Sequence, residues 1–79
     1  MRSGYEEIII DFLYGYEWTT SKVIAERLSI QHPTVLANLI NLKKDKIVES
    51  INQKLLDGRI EKFWKLTDKS REELDSELD

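Results

Sequence analysis

The pair Asp57-Gly58 constrains this chain more than any other feature. Glycine accepts the positive φ of a tight turn, and Asp-Gly between two alternating segments is a strong hairpin signal. Here it joins "KIVESINQK" (46–54), through "LLDG" (55–58), to "RIEKFWKLT" (59–67). In the second segment Ile60, Trp64 and Leu66 share one face by period two, and Phe63 takes the other.

Upstream of the hairpin the apolar period becomes helical. "YEEIIIDFLYG" (5–15) predicts an amphipathic helix with Ile9, Phe12 and Leu13 inward, Tyr5 or Ile8 behind them, and Gly15 as its stop. Glu6 and Glu7 sit in its first turn, where negative charge favours the helix dipole. "EWTT" (17–20) reads as short and extended, with Thr20 placed to cap "SKVIAERL" (21–28). Ile24, Ala25 and Leu28 face inward from that helix. "SIQHP" (29–33) interrupts it, and Pro33 suits the first turn of a third helix running from about His32 to Lys44. Val35, Leu39 and Leu42, at spacing 0, +4, +7, give that helix a buried stripe. The ending "TDKSREELDSELD" predicts a short acidic helix capped by Thr67, with Leu74 and Leu78 one turn apart.

The order is helix, short strand, helix, helix, strand, turn, strand, helix. This is the order of an α+β winged helix: a three-helix core, a two- to three-stranded β-wing and a short C-terminal helix. With no repeat or low-complexity linker, residues 1–79 are expected to form a single winged-helix domain. Core and wing fall in 1–66 and the acidic helix in 67–79. At 79 residues, one core is only marginally sufficient.

Composition removes several functions. The longest apolar run is Ile8-Ile9-Ile10, far short of the ~20 residues needed to span a bilayer, and nothing resembles a signal peptide. A cytoplasmic location without a membrane partner is expected. The absence of cysteine removes disulfides, thiolate nucleophiles and zinc-finger spacings. His32 is the sole histidine, so no histidine cluster can hold a metal, and no cofactor is expected. The acidic pairs Glu6/Glu7 and Glu72/Glu73 have no nucleophile or glycine-rich cradle beside them. No catalytic residue is assigned, and the chain is not expected to be an enzyme.

The net charge of −3 hides an asymmetry. Residues 1–42 hold three Lys/Arg against five Asp/Glu, residues 43–66 seven against four, and residues 67–79 two against six. The middle block (Lys43, Lys44, Lys46, Lys54, Arg59, Lys62, Lys65) is therefore the one electropositive stretch. It is either a phosphate-binding surface or a solvated strand-and-turn surface.

"IAERLSIQHPTV" (24–35) resembles the helix-turn-helix stretch of winged-helix transcriptional regulators of the MarR and ArsR type, which commonly read Leu-Ala-Glu-Arg-Leu-Gly-Ile-Ser-x-Pro-Thr-Val. "LINLKKDKIVES" (39–50) is similar to their helix exit into the first wing strand, and "FWKLTDKSREEL" (63–74) to their closing motif. Three positions depart from the pattern: Ser29, Lys46 and Ser70 stand where the family carries glycine. The resemblance implies a transcriptional regulator that binds double-stranded DNA as a homodimer, with helix 32–44 in the major groove and the 54–59 wing on the backbone. On this chain the DNA-binding positions would be Gln31, His32, Thr34, Asn38, Asn41, Lys44, Lys54 and Arg59. The first and last helices, through Leu74 and Leu78, are the candidates for dimerisation.

The outer face of the third helix departs most. It gathers Pro33, Leu36, Ala37, Ile40, Asn41 and Lys44, where such regulators usually show polar donors. Three readings stay open for Leu36, Ala37 and Ile40: packing beneath the wing or the first helix, contact with thymine methyl groups, or an interface with a protein partner. The last would make the chain a protein–protein interaction module without sequence-specific DNA binding. Gln31, His32 and Thr34 either meet a phosphate at the helix N-terminus or merely cap it. Trp18 and Trp64 are expected in the core or at a strand edge, and Tyr5, Tyr14 and Tyr16 in the core or a dimer contact.

Overall fold

The computed structural model describes residues 4–77. Helices α1 (Gly4–Tyr14), α2 (Ser21–Leu28) and α3 (His32–Lys44) precede an antiparallel hairpin of β1 (Val48–Lys54) and β2 (Ile60–Leu66), and α4 (Asp68–Glu77) follows. The α+β winged helix expected from the element order is the fold observed. The register pairs Val48 with Leu66, Ser50 with Trp64 and Lys54 with Ile60. On its other edge β2 meets Thr19: the Thr19 N–H donates to the Trp64 carbonyl at 2.9 Å and the Trp64 N–H to the Thr19 carbonyl at 2.7 Å. The wing is thus two strands plus a single bridge from the α1–α2 connection.

Local chemistry sets the boundaries. Thr20 caps α2, its Oγ1 accepting the Val23 N–H at 3.2 Å. Pro33 lies in the first turn of α3, where its missing N–H costs nothing. Thr67 caps α4, accepting the Ser70 N–H at 3.3 Å. Gly58 has φ 90 in the hairpin turn, as the Asp-Gly pair required. By contrast Gly15 is not left-handed; α1 ends at Tyr14 through short-range bonds from Gly15 N–H to Phe12 and from Tyr16 N–H to Leu13 carbonyls.

Two of the three glycine departures coincide with strain. Among the described residues Ser29 (φ 55) and Lys46 (φ 61) are the positive-φ non-glycine residues, and they follow the ends of α2 and α3. At Ser29 the Ile30 N–H reaches back to the Ala25 carbonyl at 3.0 Å, and at Lys46 the Ile47 N–H reaches the Leu42 carbonyl at 2.9 Å. Both turns keep the glycine-like conformation after losing the glycine. A side chain in this region costs about 1–2 kcal/mol, and glycine returns about 0.4–1 kcal/mol of that as unfolded-chain entropy. Ser29→Gly and Lys46→Gly should therefore each stabilise the fold by up to about 1 kcal/mol, a rise of roughly 4–8 °C in melting temperature per kcal/mol. Thermal denaturation followed by circular dichroism checks this. Ser70 lies inside α4 and carries no such strain; its hydroxyl sits 2.9 Å from that of Thr67.

The core draws on every element but α4. Ile9, Leu13, Ile24, Val35, Leu39, Leu42, Val48, Trp64 and Leu66 are buried, with Ala25 at the margin. Trp64 is a core residue, while Trp18, beside the Thr19 bridge, sits at the strand edge. Several side chains expected inward are not fully so. Leu28 and Phe12 are half-buried against the core, and Phe12 stacks on Tyr16 with ring centroids 4.4 Å apart. Tyr5 and Ile8 are about half exposed, because α1 is covered on one narrow stripe. Ile60 shares the inward face of β2 but is 70% exposed, since the wing projects past the helices at that end.

Helix α4 is held by one side chain more than by apolar burial. The Arg71 guanidinium donates to the carbonyls of Tyr14 (2.8 Å), Tyr16 (3.1 Å) and Leu13 (3.4 Å), the C-terminal end of α1. A cation there satisfies orphan carbonyls and opposes the dipole. The Tyr14 hydroxyl donates to Asp75, which holds its pKa above the ordinary tyrosine value. Arg71→Met should cost about 1.5–3 kcal/mol, the range for hydrogen bonds from a charged donor, and should free α4 first. Hydrogen exchange of α4 amides relative to those of α3 reads this out.

Candidate nucleic-acid interface

Helix α3 divides cleanly into two faces. Val35, Leu39 and Leu42 are fully buried, which fixes the helix against α1, α2 and β1. The opposite face exposes Gln31, Pro33, Ala37, Ile40, Asn41 and Lys44. Leu36 does not belong with them: it is half-buried and packed against the core, where it lines a groove with Ser21, Lys22, Ile60 and Trp64. The apolar stripe therefore splits. Leu36 packs beside the wing, as one of the three readings held, while Ala37 and Ile40 (49% exposed) remain open to solvent.

The polar positions differ in what they have free. Gln31 is exposed, and its side chain makes no capping bond although it precedes α3. The Gln31 carbonyl takes the N–H groups of both Thr34 (3.0 Å) and Val35 (3.1 Å). With Pro33 lacking an N–H, the α3 N-terminus offers few backbone donors to a phosphate. Half-buried His32 places Nε2 2.7 Å from the Ser21 hydroxyl, which ties the first turns of α2 and α3 together. Asn38 spends its amide on the Thr34 carbonyl at 2.7 Å, one turn back. Thr34 is half-buried, and Asn41 and Lys44 are exposed. Gln31 just before α3 and Asn41 and Lys44 on it are thus the outward polar groups; His32 and Asn38 are engaged within the chain, and Thr34 is half-buried.

On the wing, Lys54 ends β1 and is exposed. Arg59 is bound to Asp57 of its own turn twice, its side-chain Nε 2.7 Å from Oδ2 and its backbone N–H donating to Oδ1 at 3.0 Å. Both side chains of that pair are more than half exposed, so it contributes little and yields readily to a stronger anion. The turn closes by bonds from Leu55 N–H to the Arg59 carbonyl (2.7 Å) and from Gly58 N–H to the Leu55 carbonyl (3.0 Å). Leu56, unpacked, forms the tip.

The basic block is not a uniform surface. Lys65 lies near Glu17 (3.7 Å) and Asp68 (3.9 Å), so acids offset its charge. Lys43 bonds the Ser50 hydroxyl at 2.7 Å and, with Lys62, lies about 6 Å from the Trp64 ring, at 6.0 and 5.7 Å. Lys22, outside the block in sequence, joins Arg59 and Lys62 around the groove beside Leu36. Sequence reasoning missed Lys22 and placed Lys62 only within the basic block, because no local signal links the start of α2 to a strand forty residues on.

For the dimer candidates, Leu74 is half-buried against this chain's own core, and Leu78 lies outside the described residues. Among the described residues no group of acidic or histidine side chains could hold a metal ion, and no helix is long and apolar enough to cross a membrane.

No protein-family model and no curated protein matches the chain. Solved structures do. A possible transcriptional regulator from Methanosarcina mazei superposes with TM-score 0.77 at 12% identity, over 98% of this chain and 70% of that one. A double mutant of Lactococcus lactis ZitR gives TM-score 0.77 at 22% identity, over 98% of this chain and 51% of that one. A PadR-like transcriptional regulator from Bacillus cereus gives 0.66 at 18%, over 90% and 74%. The chain spans about half the length of ZitR. What these likenesses share with the chain is the winged-helix fold of transcriptional regulators, and they do not favour the MarR or ArsR type over the PadR-like type.

Proposed function

We propose that this chain is a small DNA-binding transcriptional regulator of the cytoplasm, a single domain working as a homodimer. Helix α3 enters the major groove with Gln31, Asn41 and Lys44, and Lys54 and Arg59 on the wing neutralise phosphates. The observation that carries this reading is the split of α3: a fully buried stripe anchors it, and the opposite face, with its exposed amides and Lys44, stands clear beside a cationic wing. Gln31 and Asn41 can each pair with adenine, at about 1–3 kcal/mol of discrimination per good bidentate contact. Ala37 and Ile40 would lie against thymine methyl groups. Dimerisation would use the half-exposed Tyr5 and Ile8 of α1 together with α4.

One observation favours a second reading. Ile40, 49% exposed next to Ala37, is an apolar pair on the face that should read DNA. If that face docks a protein instead, DNA binding is absent. Fluorescence anisotropy with random-sequence and AT-rich duplexes between about 50 and 200 mM salt separates the two. The regulator reading expects salt-sensitive binding at micromolar protein or tighter, stronger on the AT-rich duplex. No salt-sensitive binding refutes it. Ile40→Lys that strengthens DNA binding while dissociating an oligomer would assign the face to assembly.

A further inference from the structure

Helices α1 and α4 leave a groove between them. Three adjoining hollows of about 320, 380 and 190 Å³ make it up, and Leu74 and Glu77 border all three. The floor is apolar: Ile10, Ile47 and Leu74, each half-buried against the core. The rim is Glu7, Asp11, Glu73 and Glu77, all exposed. Among the described residues no lysine or arginine borders it.

The chemistry of this groove says what fits it. Helix α4 is ten residues long and none of them is buried. Alone it is shorter than the roughly 12–15 residues at which an isolated helix becomes even marginally stable. Arg71 tethers it to the end of α1, yet Leu74, its one apolar side chain, stays half open. A second copy related by a two-fold axis through the groove would set the acidic rim against itself, and like charges across an interface repel. The dimer contact assigned to Tyr5 and Ile8 lies elsewhere, because a step of ~100° per residue puts Ile10 and Tyr14 on the other flank of α1. Apolar floor and acidic rim together select a segment with cations around an apolar stripe. From Ser70 to Glu77 the groove follows α4 for about 10 Å, at ~1.5 Å per residue, which admits two apolar anchors one helical turn apart.

We propose that this groove docks a cationic amphipathic helix of a partner protein. Its two apolar side chains lie over Ile10 and Leu74, and its lysines or arginines meet Glu7, Asp11, Glu73 and Glu77. None of the α3 or wing residues assigned to DNA borders the groove, so a partner seated there leaves that face open to duplex.

The test uses the full chain without DNA, so its outcome does not depend on the DNA-binding reading. The ligand is a synthetic helix of about four turns, with Leu at i, i+3, i+4 and i+7 and Lys elsewhere. A scrambled peptide of the same composition is the control. Amide NMR should place the perturbed residues in 7–14 and 70–77, and binding should weaken as salt is raised. Asp11→Asn, Glu73→Gln and Glu77→Gln, all at exposed positions, should each weaken binding by up to about fivefold, as loss of a surface ion pair does, and the triple variant by more. Absence of binding, perturbations on other elements, equal binding of the scrambled peptide, or unchanged affinity in the triple variant overturns the proposal. So does peptide binding that dissociates an oligomer in sedimentation, since a second copy would then hold the groove.

Discussion

Leu39→Ala should lower the unfolding free energy by about 2–5 kcal/mol, the range for truncating a large buried aliphatic side chain. Leu39 is fully buried at the middle of α3, between Val35 and Leu42 on the stripe that meets α1 and α2. Truncation loses the transfer free energy of the deleted atoms and leaves a cavity, costing about 24 cal/mol per Å³ that fails to collapse. A domain of 79 residues has on the order of 4–12 kcal/mol in all, at 0.05–0.15 kcal/mol per residue. One methylene-rich side chain is therefore a large share of the total. The neighbour supplies the control. Ile40→Ala, on the exposed face, should change stability by less than about 1 kcal/mol, within the spread of surface substitutions. Urea denaturation of both variants decides it. Equal losses would mean that α3 is covered on both faces, and its outer face would then be unavailable to DNA.

The second large effect concerns charge. Replacing Lys44, Lys54 and Arg59 together by Gln should lower the log–log salt slope of DNA binding by about 2.7, at 0.9 per phosphate contact, with an affinity loss on the order of a hundredfold or more at low salt. Because phosphate contacts carry no sequence information, the loss should be similar on random and AT-rich duplexes. Gln31→Ala and Asn41→Ala should behave in the opposite way. They should leave the slope unchanged and erase about 1–3 kcal/mol of preference at the base pairs they face. The two sets are separable in one salt titration. A slope unchanged by the triple substitution would remove the wing and the end of α3 from the phosphate contacts.

Legibility in the sequence followed the range of the interactions. Asp57-Gly58, the Val35/Leu39/Leu42 spacing, the Thr20 cap and Pro33 each act within a few residues, so they located the hairpin, the buried face of α3 and the helix starts. The positive φ of Ser29 and Lys46 was legible only through the glycine that the resembled family places there; their own side chains give no such signal. What required the folded chain was anything set by distant partners. Arg71 reads as one more charge on an acidic helix, yet it closes α1 across more than fifty residues. His32 and Asn38 look like donors for DNA until Ser21 and the Thr34 carbonyl claim them. Leu36 and Ile40 are indistinguishable by period, and the proximity of β2 to one turn of α3 and not the next is what separates them.

The central claim is that α3 and the wing together form a face for duplex DNA. The direct measurement is an amide NMR titration of the full chain with a short AT-rich duplex. The account predicts that perturbed residues cluster at Gln31, Ala37, Ile40, Asn41 and Lys44 on α3 and at Lys54 to Arg59 on the wing, with α1 and α4 little changed. Perturbations confined to α1 and α4, or spectra unmoved by duplex at low salt, would contradict it.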